Sequence, residues 1–241
     1  MPPTLPKIVT FSMGSLGYLC NFQISEMRQI LDVTAMADEQ TPSSDKIKIE
    51  YRSRLSCFIE DETRSPTTWS RTFVDSQGEQ EVQPAVCQAL NEIAITRGSA
   101  EFMCRFDIYI NDTLLTIVQG DGILISTPTG STAYNLSCGG SIAHPSTDIV
   151  CLTAICPHSL AFRPLILPKT CKISIVLPEE ARSGAWVTFD GQMRFKMEKN
   201  ERLVIHESPF CVPFVKWQES SQDKEWVEKL SKTLKWNKRI V

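Results

Sequence analysis

From residue 46 to about residue 215 the sequence keeps breaking into short apolar runs closed by turn residues, and this rhythm constrains the fold more than any other feature. Lys46–Cys57, Phe106–Val118, Ile149–Thr153, Cys171–Val176 and Ala185–Phe189 are each strand-like. Asn111-Asp112 is expected to fold the second run into a hairpin, and Asp190-Gly191-Gln192 forms another turn signal. Runs this short, with few helical periods among them, predict a sandwich or other multi-stranded all-β domain. Helix is scarce in this stretch: one candidate begins at Ser131 and ends near Gly139-Gly140.

The two ends follow a different pattern. Residues 7–11 predict a short buried strand that runs into Gly14-Ser15-Leu16-Gly17-Tyr18, where two glycines suggest a tight turn. A helical stretch follows around Glu26–Leu31, then a polar segment at 37–45 with the composition of a linker. Near the other end, Trp226, Leu230, Leu234 and Trp236 recur at helical intervals, so the tail is expected to be an amphipathic helix that packs back on the N-terminal part. The predicted class is therefore α/β plus all-β. Residues 1–45 would be the end of an α/β unit, 46–215 a β-sandwich domain, and 216–241 a helical tail returning to the first part.

Charge narrows the partners. With 28 acidic against 25 basic residues the net charge is −3, which argues against a dedicated nucleic-acid binder, since counterion displacement needs a basic footprint. A small anionic ligand is compatible with it, because main-chain N–H groups can hold phosphate without net positive charge. No apolar run reaches the roughly 20 residues of a membrane span, and residues 1–7 lack the features of a signal peptide. The expectation is a soluble, cytoplasmic protein. Nine scattered cysteines without a Cys-x-x-Cys pair suit reduced core thiols. Three histidines with no matching cluster predict no metal site.

The chemistry concentrates in Gln119-Gly120-Asp121-Gly122-Ile123-Leu124-Ile125-Ser126-Thr127-Pro128-Thr129-Gly130-Ser131-Thr132-Ala133-Tyr134. An apolar strand delivers the chain into a hydroxyl-rich loop that opens a helix, an arrangement able to present N–H groups and the positive end of a helix to an anion. It is not a Walker A loop, for no Gly-x-x-x-x-Gly-Lys-[Ser/Thr] is present. Nor is there a Gly-x-Ser-x-Gly elbow for a serine nucleophile. A plain hydroxyl-capped helix after a proline turn fits the same spacing. Asp121 between two glycines and the flat face of Tyr134 favour a ligand.

This block, together with Leu90-Asn91-Glu92, Gly14-Ser15-Leu16-Gly17-Tyr18 and Pro157-His158-Ser159-Leu160-Ala161-Phe162-Arg163-Pro164, resembles the NAD kinases of eukaryotic type from about residue 7 to Trp236. The resemblance implies an α/β nucleotide domain followed by a β-sandwich domain that binds NAD. It implies transfer of the γ-phosphoryl of ATP, carried with Mg2+ or another divalent cation, to the 2′-hydroxyl of the adenosine ribose of NAD. It places Asn91 and Glu92 at the ribose and adenine, and Asp121 on the nicotinamide side. Thr129, Thr132, Ala133, Tyr134 and Ser137 would line the pocket, with Tyr18 closing over it. Asp190 would lie near the pocket of a neighbouring subunit in a homo-oligomer.

One departure is large. The family's proton acceptor is the aspartate of a Gly-Gly-Asp-Gly segment upstream of the Gly14–Gly17 turn, and that segment does not occur in this sequence. Gly120-Asp121-Gly122 stands in the wrong order along the chain to replace it. The expectations are accordingly a piece of a longer NAD kinase, or a catalytically inactive dinucleotide-binding fragment or regulatory partner of a full-length one. A lipid or sphingoid-base kinase is the weaker third reading.

Overall fold

In the strand Cys104–Ile110 every second side chain from Cys104 to Ile108 is buried while its neighbours are half-exposed, the period-two pattern of a strand with one face on a core. The structure, a computed structural model, describes residues 5–13, 19–36, 46–60, 70–75, 77–84, 86–219 and 222–234. Contacts divide the chain into two compact units, residues 53–210 and residues 1–52 with 211–241.

The larger unit contains two sheets. One has the order Thr113–Gly120, Cys104–Ile110, Ile173–Val176, Arg202–Glu207, Leu55–Glu60 and Cys87–Ala89. The other runs Leu165–Pro168, Ile149–Ile155, Gly122–Ser126, Glu92–Thr96, Ala185–Phe189, Met193–Met197, Ser70–Val74 and Gln80–Pro84. All the pairings within both are antiparallel. Phe106, Ile108, Ile173, Ile175 and Ile205 of the first sheet share one apolar cluster with Ile93, Ile95, Ile123, Ile125 and Val187 of the second. Two sheets meeting through one core make a β-sandwich.

The hairpins follow local chemistry. Asn111 and Asp112 both take positive φ, 48° and 65°, the primed-turn geometry that matches strand twist. The strand Gly122–Ser126 is buried along its whole length. Ile123 and Ile125 face the shared core, while Leu124, on the opposite face, is also fully buried.

In the smaller unit, Ile8 N–H donates to Pro213 O (2.8 Å) and Ile8 O accepts from Val215 N–H (2.9 Å). Phe11–Ser12 then pairs in parallel with Phe22–Gln23, so the strand expected over 7–11 is reduced to a bridge and a two-residue segment. The helix Met27–Met36 follows. Ile47–Arg52 pairs antiparallel with Val212–Trp217. Phe22, Ile30 and Val215 form a core, with Ile47, Ile49 and Trp217 packed against it. The tail helix runs Gln222–Leu234, and Lys229 Nζ donates to Cys20 O at 2.9 Å.

Both boundaries differ from those expected after residues 45 and 215. The unbroken look of Lys46–Cys57 conceals an interruption at Ser53-Arg54 between two strands. Ile47–Arg52 joins Val212–Trp217 in the smaller unit and Leu55–Glu60 joins the sandwich, because their partners lie in different cores. The Gly14–Tyr18 turn, the 37–45 linker and Trp236 lie outside the described residues.

Lys216 is the electrostatic centre of the smaller unit. Its side chain is 4% exposed, and Nζ lies 2.6 Å from Glu50 and 2.9 Å from Glu225 of the tail helix. Removing one member of a buried ion pair leaves a desolvated charge behind. Lys216→Ala is expected to lower stability on the order of 3 kcal/mol, measured by urea unfolding followed through tryptophan fluorescence.

Candidate functional site

Asp190 occupies the tip of the hairpin between Ala185–Phe189 and Met193–Met197, with φ of 48°, followed by Gly191 at 69°. Its carboxylate accepts hydrogen bonds from the main-chain N–H groups of Leu90 (2.8 Å), Asn91 (2.7 Å) and Glu92 (3.0 Å). The turn expected from Asp-Gly is therefore also the anchor of the Leu90–Glu92 turn. Its oxygens are directed at protein backbone, which makes Asp190 a support for its neighbours.

The hydroxyl-rich loop rests on that turn. Thr127 N–H donates to Asn91 O at 2.9 Å, and Thr127 Oγ1 donates to Leu90 O at 2.6 Å while accepting from Gly130 N–H at 3.0 Å. A Cβ on Gly130 would stand 2.0 Å from Asn91 O, a distance no side chain tolerates. The glycine is thus demanded by the close approach of Asn91, and phosphate is not what its bare backbone accommodates.

The helix N-terminus expected to hold an anion is not formed. The N–H groups of Gly130, Ser131 and Ala133 bond to Thr127 Oγ1, Pro128 O and Gly130 O. Thr129–Thr132 is a 3-10 turn and Tyr134–Ser137 a single α-helical turn, too short for an aligned set of free amides. Ser131, fully buried, donates to Pro128 O and accepts from Ala143 N–H. Asn135, also fully buried, donates to Ser131 O and Ser141 O and accepts from Thr153 Oγ1. These side chains clip the 127–143 segment to itself and to the strand Ile149–Ile155. That network escaped the sequence reading because no spacing rule marks it.

Its outer surface carries the residues singled out for a ligand. Thr129 is buried, Thr132 and Ala133 are half-buried, and Tyr134 and Ser137 are exposed. Asn91 is half-buried and Glu92 buried at the base of the same loop cluster. Glu92 Oε2 is a buried oxygen without a hydrogen-bond partner among the described residues. Burial, and after it the charge of Asp190, raises the Glu92 carboxyl to about 7, against the lowering effect of the Tyr134 main-chain N–H. Burial foremost, then Cys138, Cys156, Asp121 and Glu92, pushes the Tyr134 hydroxyl up. Asp121 and Glu92 therefore both stand near Tyr134, while Tyr18 lies outside the described residues.

The glycines around Asp121 also gain a reason. A Cβ on Gly120 would lie 2.9 Å from Ile155 O, and one on Gly122 2.5 Å from Ile95 O. Asp121 is held between two neighbouring strands that pass too close for side chains at either flank. Arg97, which the sequence reading missed, donates from Nε to Asp121 Oδ1 at 2.7 Å. Arg163 donates to Leu160 O and Phe162 O.

Residues 90–217, over half of the chain, match the ATP-NAD kinase C-terminal domain. The chain is 37% identical over 239 residues to an ATP-NADH kinase of Saccharomyces cerevisiae, covering 98% of this chain and 44% of that protein. It is 36% identical over 236 residues to NAD kinase 2, chloroplastic, of Arabidopsis thaliana, covering 98% and 22%. It thus spans less than half the length of these curated relatives. Among solved structures, yeast NADH kinase complexed with NADH superposes with a TM-score of 0.77 at 26% identity, over 99% of this chain and 62% of that one. An Archaeoglobus fulgidus NAD kinase in complex with ATP gives 0.68 at 21% identity, a likeness of fold. The class these findings define is that of proteins with an ATP-NAD kinase C-terminal domain. Within it, the chain belongs to the NAD kinase family.

Glu92 generates a stability prediction. Because the folded state favours the neutral acid, its contribution is full below the ordinary carboxylate range and is lost as pH rises through about 7. Glu92→Gln removes the titration while keeping the shape. Between pH 5 and pH 8 the unaltered chain should lose about 2–3 kcal/mol relative to the Glu92→Gln protein, read from urea unfolding at the two pH values.

Proposed function

We propose that this chain carries the acceptor-binding half of an NAD kinase, the enzyme that transfers the γ-phosphoryl of ATP to the 2′-hydroxyl of the adenosine ribose of NAD to give NADP. The observation that carries this reading is the buried, unpartnered Glu92 Oε2. A buried polar atom without a partner is costly, and a ribose hydroxyl is a donor of the kind it lacks. Asn91 and Glu92 would hold the ribose and adenine. Thr129, Thr132, Ala133, Tyr134 and Ser137 would line the dinucleotide, and Asp121 would meet its nicotinamide end. Asp190 would act from behind, by holding the Leu90–Glu92 turn.

Support comes also from the relatives, an ATP-NADH kinase, a chloroplastic NAD kinase and an NADH kinase seen with NADH. The same reading makes the smaller unit part of an α/β nucleotide domain, and the protein a cytoplasmic homo-oligomer. No described helix is long and apolar enough to cross a membrane, which leaves strands untested.

Phosphoryl transfer asks the protein mainly for positioning and charge stabilisation. Magnesium would enter with ATP. Among the described residues there is no group of three or more His, Cys, Asp or Glu that could hold a metal ion, and the magnesium would be part of the nucleotide substrate. A second reading is a dinucleotide-binding module without transfer activity. Incubating the purified chain with ATP, magnesium and NAD separates the two. NADP formation is expected of a kinase, NAD binding by calorimetry without NADP identifies the binding module, and no NAD binding contradicts both.

A further inference from the structure

The two chemically distinct ends of a dinucleotide need not be held by the same part of a site, and the Asp121 end has a support of its own. Arg97 follows the strand Glu92–Thr96, whose Thr96 pairs with Gly122. Its main-chain N–H donates to Asp121 O at 3.0 Å, and its Nε donates to Asp121 Oδ1 at 2.7 Å. Arg97 Nη1 also bonds to Ala100 O, and Ala100 N–H returns to Arg97 O at 3.1 Å. The turn that closes this loop contains Gly98 at φ 59°, where a Cβ would meet the Trp186 ring at 2.4 Å. Asp121 is fixed on its other side by its N–H to Ile155 O at 2.9 Å.

We propose that Arg97 is a positioning residue of the dinucleotide site: it fixes Asp121 through Oδ1 and the main chain, leaving Oδ2 to accept a hydrogen bond from the nicotinamide amide. This rests on the reading in which Asp121 meets the nicotinamide end. A structural role alone accounts poorly for the pair, since its side chains are 34% and 38% exposed and an ion pair that wet contributes little to stability. Orientation is a different matter. A single-bonded carboxylate rotates, and a charge-assisted bond to a guanidinium itself tied to Ala100 O removes that freedom before the ligand arrives. The other recognition residues stand on the Leu90–Glu92 turn and the 127–137 segment, which Asp190 and Thr127 support. The two ends of the ligand would therefore respond to different substitutions.

ADP-ribose provides the test, for it is NAD without the nicotinamide. Calorimetric titration of the full chain and of Arg97→Ala with NAD and with ADP-ribose should show NAD weakened about tenfold, the size of one charge-assisted hydrogen bond, and ADP-ribose changed less than twofold. Arg97→Lys, which keeps the charge but loses the planar fork, should recover part of the NAD affinity. Adding Arg97→Ala to Asp121→Ala should weaken NAD no further than Asp121→Ala does. Unchanged NAD affinity in Arg97→Ala, or equal loss for both ligands, would overturn the inference while leaving the dinucleotide reading intact. Failure of the unaltered chain to bind NAD would overturn both.

Discussion

Three main-chain N–H groups converge on the carboxylate of Asp190, and the geometry of the candidate site depends on that convergence. It fixes Leu90, Asn91 and Glu92 as a turn, and the carbonyls of Leu90 and Asn91 then receive Thr127. The seating is tight enough that residue 130 must lack a side chain. The loop most specific in sequence is therefore placed by contacts with a turn some 37 residues earlier in the chain and, through it, with a hairpin tip 100 residues further on. Its hydroxyls are in large part structural, as Thr127 and Ser131 show.

What this framework presents is a carboxyl under stress. Glu92 is 7% exposed, close to the charge of Asp190, and raised to about 7. The cost of burying it without a full set of partners is tolerable in a small part of a sandwich whose core is continuous across both sheets. Such a group is a sign of a binding site when it sits beside exposed aromatic and hydroxyl side chains, as Glu92 does beside Tyr134. Asp121, clamped at both flanks by close strand passage and by Arg97, brings a second acidic side chain to the same tyrosine.

Much of this was legible in the sequence and some was not, for reasons that differ by residue. Ala185–Phe189, Ile173–Val176 and the Asn111-Asp112 hairpin could be recognised because alternation and turn chemistry are local. The separation of Ile47–Arg52 from Leu55–Glu60 could not, since it depends on which distant strand each one pairs with. Asn91, Glu92, Tyr134 and their neighbours are proposed from motif blocks, whereas the actions of Gly130 and Asp190 on the backbone of residues 90–92 appear only when loops distant in sequence are brought together. Arg97 was invisible for the same reason: its partner Asp121 is fixed by the register of Glu92–Thr96 against Gly122–Ser126. The helix N-terminus expected after Pro128 fails on length, because Thr129–Thr132 is a four-residue 3-10 segment whose Gly130 and Ser131 amides bond to the preceding Thr127 hydroxyl and Pro128 carbonyl.

The central claim is that Glu92 is held in readiness for a ligand hydroxyl, and the affinity of the Glu92→Gln protein for NAD tests it most directly. The substitution keeps the size of the side chain and relieves its burial cost, so a loss of binding would not reflect a loss of fold. Calorimetry near pH 8, where the Glu92 carboxyl is ionised, should show NAD bound about 10- to 100-fold more weakly by Glu92→Gln, the range for a hydrogen bond to a charged group. Equal affinity in the two proteins would contradict the account.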